Sequence, residues 1–280
     1  MSAPLAPAGT ARSWLYVPGD RPERFAKAAA SGADAVIIDL EDAVAVPAKD
    51  DARAAATESL VAGALTGPEW WVRVNQGERG LADIAAVAGL EGLAGVVLPK
   101  ASTRSVAEAA LALVGTRVVA LVESASTVLE LPALGATEGV VALAMGEVDL
   151  AADLGIDVSP EGSELWPLRL QVVVASAAAG LAPPIGPVWV AVRDLDGLRG
   201  STAELRRRGF GARQVIHPDQ VEPVNEAFTP TEAEVDAARA LLAGAAGGAG
   251  VWVDADGRMA DEAVLRSARR TIALAERWSS

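Results

Sequence analysis

The chain has 280 residues, a formal net charge of −13, no cysteine and one histidine. That surplus of acid argues against nucleic acid as a partner, because such binding rests on cations that neutralise phosphates. The missing cysteines exclude a disulfide framework and a thiolate metal site, and a cytoplasmic location is the expectation. The most apolar stretch, Leu168 to Val192, is interrupted by Arg169, Gln171 and prolines, so neither a membrane span nor a membrane partner is expected.

Residues 1–11 read as a disordered lead-in. Strand signals then recur at Trp14–Val17, Ala35–Asp39, Trp70–Val74, Gly95–Leu98, Val118–Val122, Val140–Ala144, Ile185–Val190 and Gln214–Ile216. Helical patterns separate and follow them at Arg21–Ser31, Ala48–Gly63, Leu81–Leu90, Ser102–Val114, Ser126–Leu134, Glu161–Ala179, Asp194–Arg208 and Asp219–Ala227. Short apolar strands joined by helices call for parallel pairing through right-handed crossovers. Eight such units close into a (β/α)8 barrel, expected over residues 12–228. An open doubly wound sheet is the alternative, but no Gly-x-Gly-x-x-Gly follows any strand. Residues 229–280 exceed what a barrel needs. They hold a helix at Glu232–Leu242, a Gly/Ala-rich linker at Ala243–Gly250, a small hairpin around Asp256-Gly257 and a helix at Asp261–Arg277. An ordered module behind a flexible linker suggests a lid that packs on a neighbouring subunit; a terminal helix lying on the barrel wall is the plainer reading.

Three apolar runs end in acid: Val36 to Asp42, Val118 to Glu123 and Val140 to Asp149. In a barrel of this kind the chemistry sits at the C-terminal ends of the strands. Asp39, Glu41, Asp42, Arg73, Asn75, Lys100, Glu123 and Asp149 would therefore meet on one rim. Gathered carboxylates repel unless a cation joins them, and oxygen ligands favour a hard ion such as Mg2+. After the sixth strand either Glu147 or Asp149 could be the ligand, and Asp149 could instead cap a helix. Gly146 permits close backbone approach to a ligand. Lys100 is the one lysine placed for Schiff-base chemistry, although pairing with an acid suits it better. His217, before Pro218, reads as structural or supporting, and Trp189 as a residue that could line the pocket.

In order along the chain stand Arg12–Phe25 (RSWLYVPGDRPERF), Ala33–Val44 (ADAVIIDLEDAV), Arg73-Val74-Asn75, Leu98-Pro99-Lys100, Val122-Glu123-Ser124, Gly146–Leu150 and Ile216-His217-Pro218. This ordered set strongly resembles the citrate lyase beta-subunit-like branch of the HpcH/HpaI aldolase family, over roughly residues 12 to 277. The resemblance implies a (β/α)8 barrel, often trimeric or hexameric, that binds Mg2+ and a CoA thioester. It implies cleavage or formation of a carbon–carbon bond in a 3-hydroxyacyl-CoA such as citryl-, citramalyl- or malyl-CoA, giving an acyl-CoA and a keto acid. Glu123 and Asp149 match the two metal-binding carboxylates. Arg73 matches the arginine beside the metal, and Asp39, Glu41 and Asp42 match the acidic loop that orders it. Asp261, closing the segment Asp256 to Asp261, resembles an aspartate that enters the neighbouring site as acid/base. Arg24 and Lys27 lie with Arg21 where CoA phosphates are contacted, though a plain charged helix face explains them equally well. One departure stands out. The family often carries aspartates after the seventh strand, and Ile185-Gly186-Pro187-Val188-Trp189-Val190-Ala191 has none. A non-catalytic CoA- and metal-binding scaffold, and a metal-dependent aldolase or thioesterase, remain as alternatives. The short loop after Asn75 (Gln76 to Gly80) is expected to open the acyl pocket.

Overall fold

A computed structural model describes residues 11–63, 65–112, 117–159, 161–245, 252–253 and 259–278. Eight strands close into a parallel barrel in chain order. The first half runs β1 (Ser13–Pro18), α1 (Phe25–Ala29), β2 (Ala35–Asp39), α2 (Lys49–Val61), β3 (Glu69–Arg73), α3 (Gly77–Val87), β4 (Leu93–Leu98) and α4 (Thr103–Ala112). The second half runs β5 (Arg117–Val122), α5 (Ala125–Gly135), β6 (Val140–Met145), α6 (Glu147–Leu154), α7 (Trp166–Ala178), β7 (Ile185–Gly186), α8 (Leu195–Arg207), β8 (Ala212–Val215) and α9 (Val221–Phe228). Every strand pair of the barrel is parallel, and β1 closes on β8 through Ser13–Arg213, Trp14–Gln214 and Leu15–Val215. No described helix is long and apolar enough to cross a membrane.

The eight expected strands are present, with three informative differences, one in a strand and two in the connecting helices. β7 pairs over only two residues, because Pro187 has no N–H to give the ladder and ends it. α3 begins at Gly77, so most of the supposed loop after Asn75 is the first turn of a helix. α6 is an additional helix, so Asp149 lies inside its first turn and Gly146 holds the N-cap position. Ala11, placed in the lead-in by sequence, is buried in the barrel core, and its carbonyl accepts from Trp14 Nε1 at 3.2 Å.

Side chains on alternate strand residues fill the barrel. The inner set includes Trp14, Ala35, Ile37, Trp71, Val97, Val119, Leu121, Ala142, Ala144, Ile185 and Ala212. Trp14 and Trp71 meet with ring centroids 5.0 Å apart and planes tilted by 50°. Aromatic side chains bury roughly 150–250 Å² each, so these two supply a large part of the floor. Gly95 is required there, since a Cβ would lie 2.4 Å from the Trp71 ring and 2.3 Å from the Arg117 carbonyl. The same alternation decides where the polar residues go. Asp39 is two residues beyond Ile37, Arg73 two beyond Trp71, and Glu123 two beyond Leu121. Each therefore stands above the apolar floor, at the C-terminal mouth.

Residues Glu226–Ser280 form a second compact unit. It contains α10 (Glu232–Ala245), a two-stranded antiparallel pair of β9 (Trp252–Val253) and β10 (Met259–Ala260), and α11 (Glu262–Trp278). The antiparallel pairing of these strands agrees with the expected hairpin, while the expected turn at Asp256-Gly257 and residues 246–250 of the linker lie outside the described residues. α10 and α11 pack against each other.

Candidate active site at the barrel mouth

Strand register sets the centre of the site. Asp39 and Arg73 are direct partners across β2 and β3. Arg73 Nε donates to Asp39 Oδ1 at 2.7 Å and Nη2 donates to Oδ2 at 2.6 Å, a bidentate fork. Nη1 lies 3.2 Å from Glu41 and 3.6 Å from Asp42. The Glu41 contact lacks hydrogen-bond alignment at Oε2, so that oxygen is held by charge alone. Burial pulls the Arg73 guanidinium towards losing its proton. The Asp39 hydrogen bonds and surrounding negative charge overcome that pull and keep it firmly charged. Its Cζ sits 5.0 Å above the Tyr16 ring. Tyr16 donates to Gln214 Oε1 at 2.7 Å, and burial raises its hydroxyl pKa.

The acidic turn after β2 is built from below. Asp39 accepts from the Glu41 and Ala43 amides at 2.9 and 3.1 Å. The Lys49 ammonium is buried and donates to the carbonyls of Leu40 and Glu41 at 3.0 and 2.6 Å and to Asn75 Oδ1 at 2.5 Å. Asn75 Nδ2 donates to Asp83 Oδ2 at 2.7 Å, and Asp83 Oδ1 accepts from Arg53 Nε at 2.6 Å. One chain of charge-assisted bonds thus ties α2, the end of β3 and α3 to the loop that aims Asp39 and Glu41. Sequence reading identified neither Lys49 nor Asp83 as part of the site.

Glu123 closes β5 and is only 3% exposed. Its Oε1 accepts from the Lys100 amide at 2.6 Å. Lys100 is the one non-glycine residue with positive φ (42°) among the described residues, a costly conformation that presents this amide to the carboxylate. Burial, reinforced by the charges of Glu41 and Asp149, pushes the Glu123 carboxyl up to about 7, against the lowering effect of the Lys100 amide. Gly146 leaves the space that Glu123 uses, since a Cβ there would stand 2.6 Å from Glu123 Oε2.

Glu147 and Asp149 differ in their partners. Arg169 grips Glu147 bidentately at 2.5 and 2.7 Å, which leaves Asp149 as the less encumbered acid on α6. Asp149 is half-exposed and faces the Lys100 ammonium at 3.5 Å. That pairing gives Lys100 the acid partner expected for it, and burial of Lys100 is outweighed by Asp149, so its pKa is raised. A Schiff-base lysine needs the opposite shift.

A cavity of about 440 Å³ gathers Asp39, Asp42, Arg73, Glu123, Gly146 and Asp149 on its lining, with Tyr16 and Gln214. Six of the expected site residues are brought together, and Glu41 touches Arg73 beside them. Arg24 and Lys27 are exposed on the first turn after β1 and on α1, away from that lining. Asp261 belongs to the second unit, where its Oδ1 caps α11 by accepting from the Ala263 and Val264 amides at 2.9 and 3.2 Å. Trp189 does not line the cavity; its Nε1 donates to the Asp194 carbonyl. His217 Nδ1 accepts from the Asp219 amide at 3.2 Å at the start of a short helix, a structural role.

The donor set fits a hard divalent cation. Glu123 and Asp149 offer carboxyl oxygens, and the buried Glu123 carboxyl has Oε2 left over beyond the amide bond at Oε1. Among the described residues no three acids or histidines cluster into a complete cage. Mg2+ suits such a site, because it uses one or two carboxylates and completes its shell with water and substrate.

The profile of the HpcH/HpaI aldolase/citrate lyase family matches residues 12–218. A protein named (3S)-malyl-CoA thioesterase from Cereibacter sphaeroides (strain KD131 / KCTC 12085) is 35% identical over 272 residues, covering 95% of this chain and 94% of its own. Among solved structures, CitE from Mycobacterium tuberculosis in complex with magnesium, acetoacetate and coenzyme A superposes with a TM-score of 0.83 at 32% identity, covering 97% of this chain and 100% of that one. A structure described as the citrate lyase beta subunit with oxaloacetate and magnesium, from the same organism, has a TM-score of 0.68 at 33% identity and covers 78% and 96%.

Proposed function

The chain belongs to the HpcH/HpaI aldolase/citrate lyase family, and from that premise we propose that it is a Mg2+-dependent carbon–carbon lyase acting on a 3-hydroxyacyl-CoA of the malyl, citramalyl or citryl type. The observation that carries this reading is the juxtaposition of a carboxylate pair, Glu123 and Asp149, with the clamped guanidinium of Arg73 in one cavity.

Cleavage removes the hydroxyl proton, breaks the bond between the hydroxylated carbon and the carbon next to the thioester, and leaves a keto acid and a thioester enolate. The enolate carbon then takes a proton to become the acyl-CoA. A bound Mg2+, held by Glu123 and Asp149, would supply positive charge for the substrate's hydroxyl and carboxylate oxygens. Arg73 would stabilise the enolate oxygen. Its fork with Asp39 fixes the guanidinium before substrate arrives, so little reorganisation is needed when charge develops. Asp39 and Glu41 hold that geometry, and the Lys49–Asn75–Asp83 chain holds Asp39 and Glu41.

Asp261, in the second unit, would deliver the carbon proton from a neighbouring copy in a homotrimer or hexamer, as a lid that also excludes water. Arg24 and Lys27 would meet the CoA phosphates. A thioesterase that hydrolyses the same substrates is the second reading, favoured by the 35% identity to the malyl-CoA thioesterase. The test is release of keto acid from the three acyl-CoAs as Mg2+ is titrated, in wild type and in Glu123→Gln and Asp149→Asn. Mg2+-dependent release lost in both variants is expected. Undiminished release in either variant overturns the assignment of that ligand.

A further inference from the structure

The two sides of the cavity differ in character. Towards β2 and β3 it is charged, with Asp39, Asp42 and Arg73. Towards β6, β7 and β8 it holds a run of hydrocarbon, Met145, Val148, Val188 and Ile216, beside the acids Glu147 and Asp149 of α6 and the Gln214 amide. This second wall stands on fixed backbone. The Gln214 amide donates to the carbonyls of Met145 and Gly186 at 2.9 and 3.1 Å, tying β8 to β6 and β7. Gln220, fully buried, accepts from the Ile216 amide at 3.0 Å and donates to the Trp189 carbonyl at 2.8 Å, clamping the segment after β7 to the end of β8. Val188 and Ile216 are therefore held in place.

Charge makes the same distinction. The lining carries five acids (Asp39, Asp42, Glu123, Glu147 and Asp149) and one cation, Arg73. Arg73 is committed to Asp39, Arg169 to Glu147, and Lys100 faces Asp149. A divalent ion on Glu123 and Asp149 accounts for one substrate carboxylate. A second carboxylate turned to the β6–β8 side would meet hydrocarbon and acid, and an ion buried without a partner is strongly disfavoured.

Resting on the lyase reading of this site, we infer that Val188 and Ile216, with Met145 and Val148, form a specificity wall. It selects substrates whose hydroxylated carbon carries hydrogen or a short alkyl group beside its single carboxylate, and it disfavours those with a second carboxylate arm. Their keto-acid products are 2-oxo monocarboxylates.

The test uses keto acids directly, so it does not depend on turnover. Titration calorimetry of the whole chain with Mg2+ present compares pyruvate and 2-oxobutyrate with freshly dissolved oxaloacetate. The readout is the ratio of affinities, since the M. tuberculosis neighbour is described with oxaloacetate bound. The two monocarboxylates bind the wild type more than tenfold tighter than oxaloacetate, and Ile216→Lys shrinks that ratio at least tenfold. Val188→Lys carries the same expectation should Lys at 216 prevent folding, as judged by circular dichroism. Equal or tighter oxaloacetate binding to wild type, an unchanged ratio in both folded variants, or no keto-acid binding at all overturns the wall. Selective keto-acid binding without any keto-acid release from acyl-CoAs would overturn the lyase reading and leave the wall standing.

Discussion

Replacing Glu123 by Gln should stabilise the metal-free protein at pH 8 while abolishing its response to Mg2+. The reason lies in what surrounds this side chain. It is 3% exposed, and its carboxyl is pushed from 4.5 up to about 7. An acid whose folded pKa is raised keeps its proton in the folded state over a range where the unfolded chain has lost it. Stability therefore falls as pH rises from 4.5 to 7 and stays low above that. Raising the carboxyl from 4.5 to about 7 corresponds to about 3 kcal/mol. Gln at 123 still accepts the Lys100 amide but gives up the charge-assisted part of that bond, about 1 kcal/mol. The net gain at pH 8 is about 2 kcal/mol, or roughly 4–8 °C in Tm at the 2–4 °C per kcal/mol typical of chains approaching this size. Thermal unfolding in a chelator at pH 5 and pH 8 measures it. The gain should be present at pH 8 and nearly absent at pH 5. Added Mg2+ should raise the wild-type Tm and leave the variant unchanged. A variant that melts below wild type at pH 8, or by the same offset at both pH values, would refute the burial argument.

Three further outcomes follow from the same geometry. Gly146→Ala should lose Mg2+-induced stabilisation and also lower the metal-free Tm, because the new Cβ would stand 2.6 Å from both Cβ and Oε2 of Glu123 and force that side chain aside; undisturbed Mg2+ response in a thermal-shift titration contradicts it. Lys49→Met should cost about 2–4 kcal/mol in denaturant unfolding, by leaving two buried carbonyls and Asn75 without their shared donor; a loss under 1 kcal/mol would show the ammonium to be dispensable. Mixing inactive Asp261→Asn with inactive Arg73→Ala should restore part of the activity in hybrids, and hybrids shown to form by mass spectrometry that stay inactive would exclude a proton donor acting between subunits.

The barrel and the core of the site were legible because they depend on local alternation. An apolar run with period two, closed by an acid, places that acid at the strand's C-terminal end, and Asp39 and Glu123 stand there. What stayed hidden depends on long-range pairing. Lys49 opens an ordinary charged helix, Lys49-Asp50-Asp51, and nothing nearby shows that it turns inward to Asn75. Arg169 looked like a break in an apolar stretch; a single cation inside α7 was the available sign of a buried partner, which is Glu147. The difference in surroundings between Glu147 and Asp149 shows only through that contact. The sequence shows a helical turn after Asp149 but not that α6 starts two residues earlier, because eight residues carry too little periodicity to fix a helix's bounds. β7 was drawn too long because apolar residues continue past Pro187, where the ladder stops for want of a donor.

The most direct measurement follows both possible products from one reaction. Malyl- and citramalyl-CoA are incubated with the whole protein and Mg2+, and keto acid and free CoA thiol are quantified side by side. A carbon–carbon lyase releases keto acid and acyl-CoA in equal amounts, with no free thiol. Free thiol appearing with the intact hydroxy acid, and no keto acid, would contradict the lyase and establish hydrolysis of the thioester.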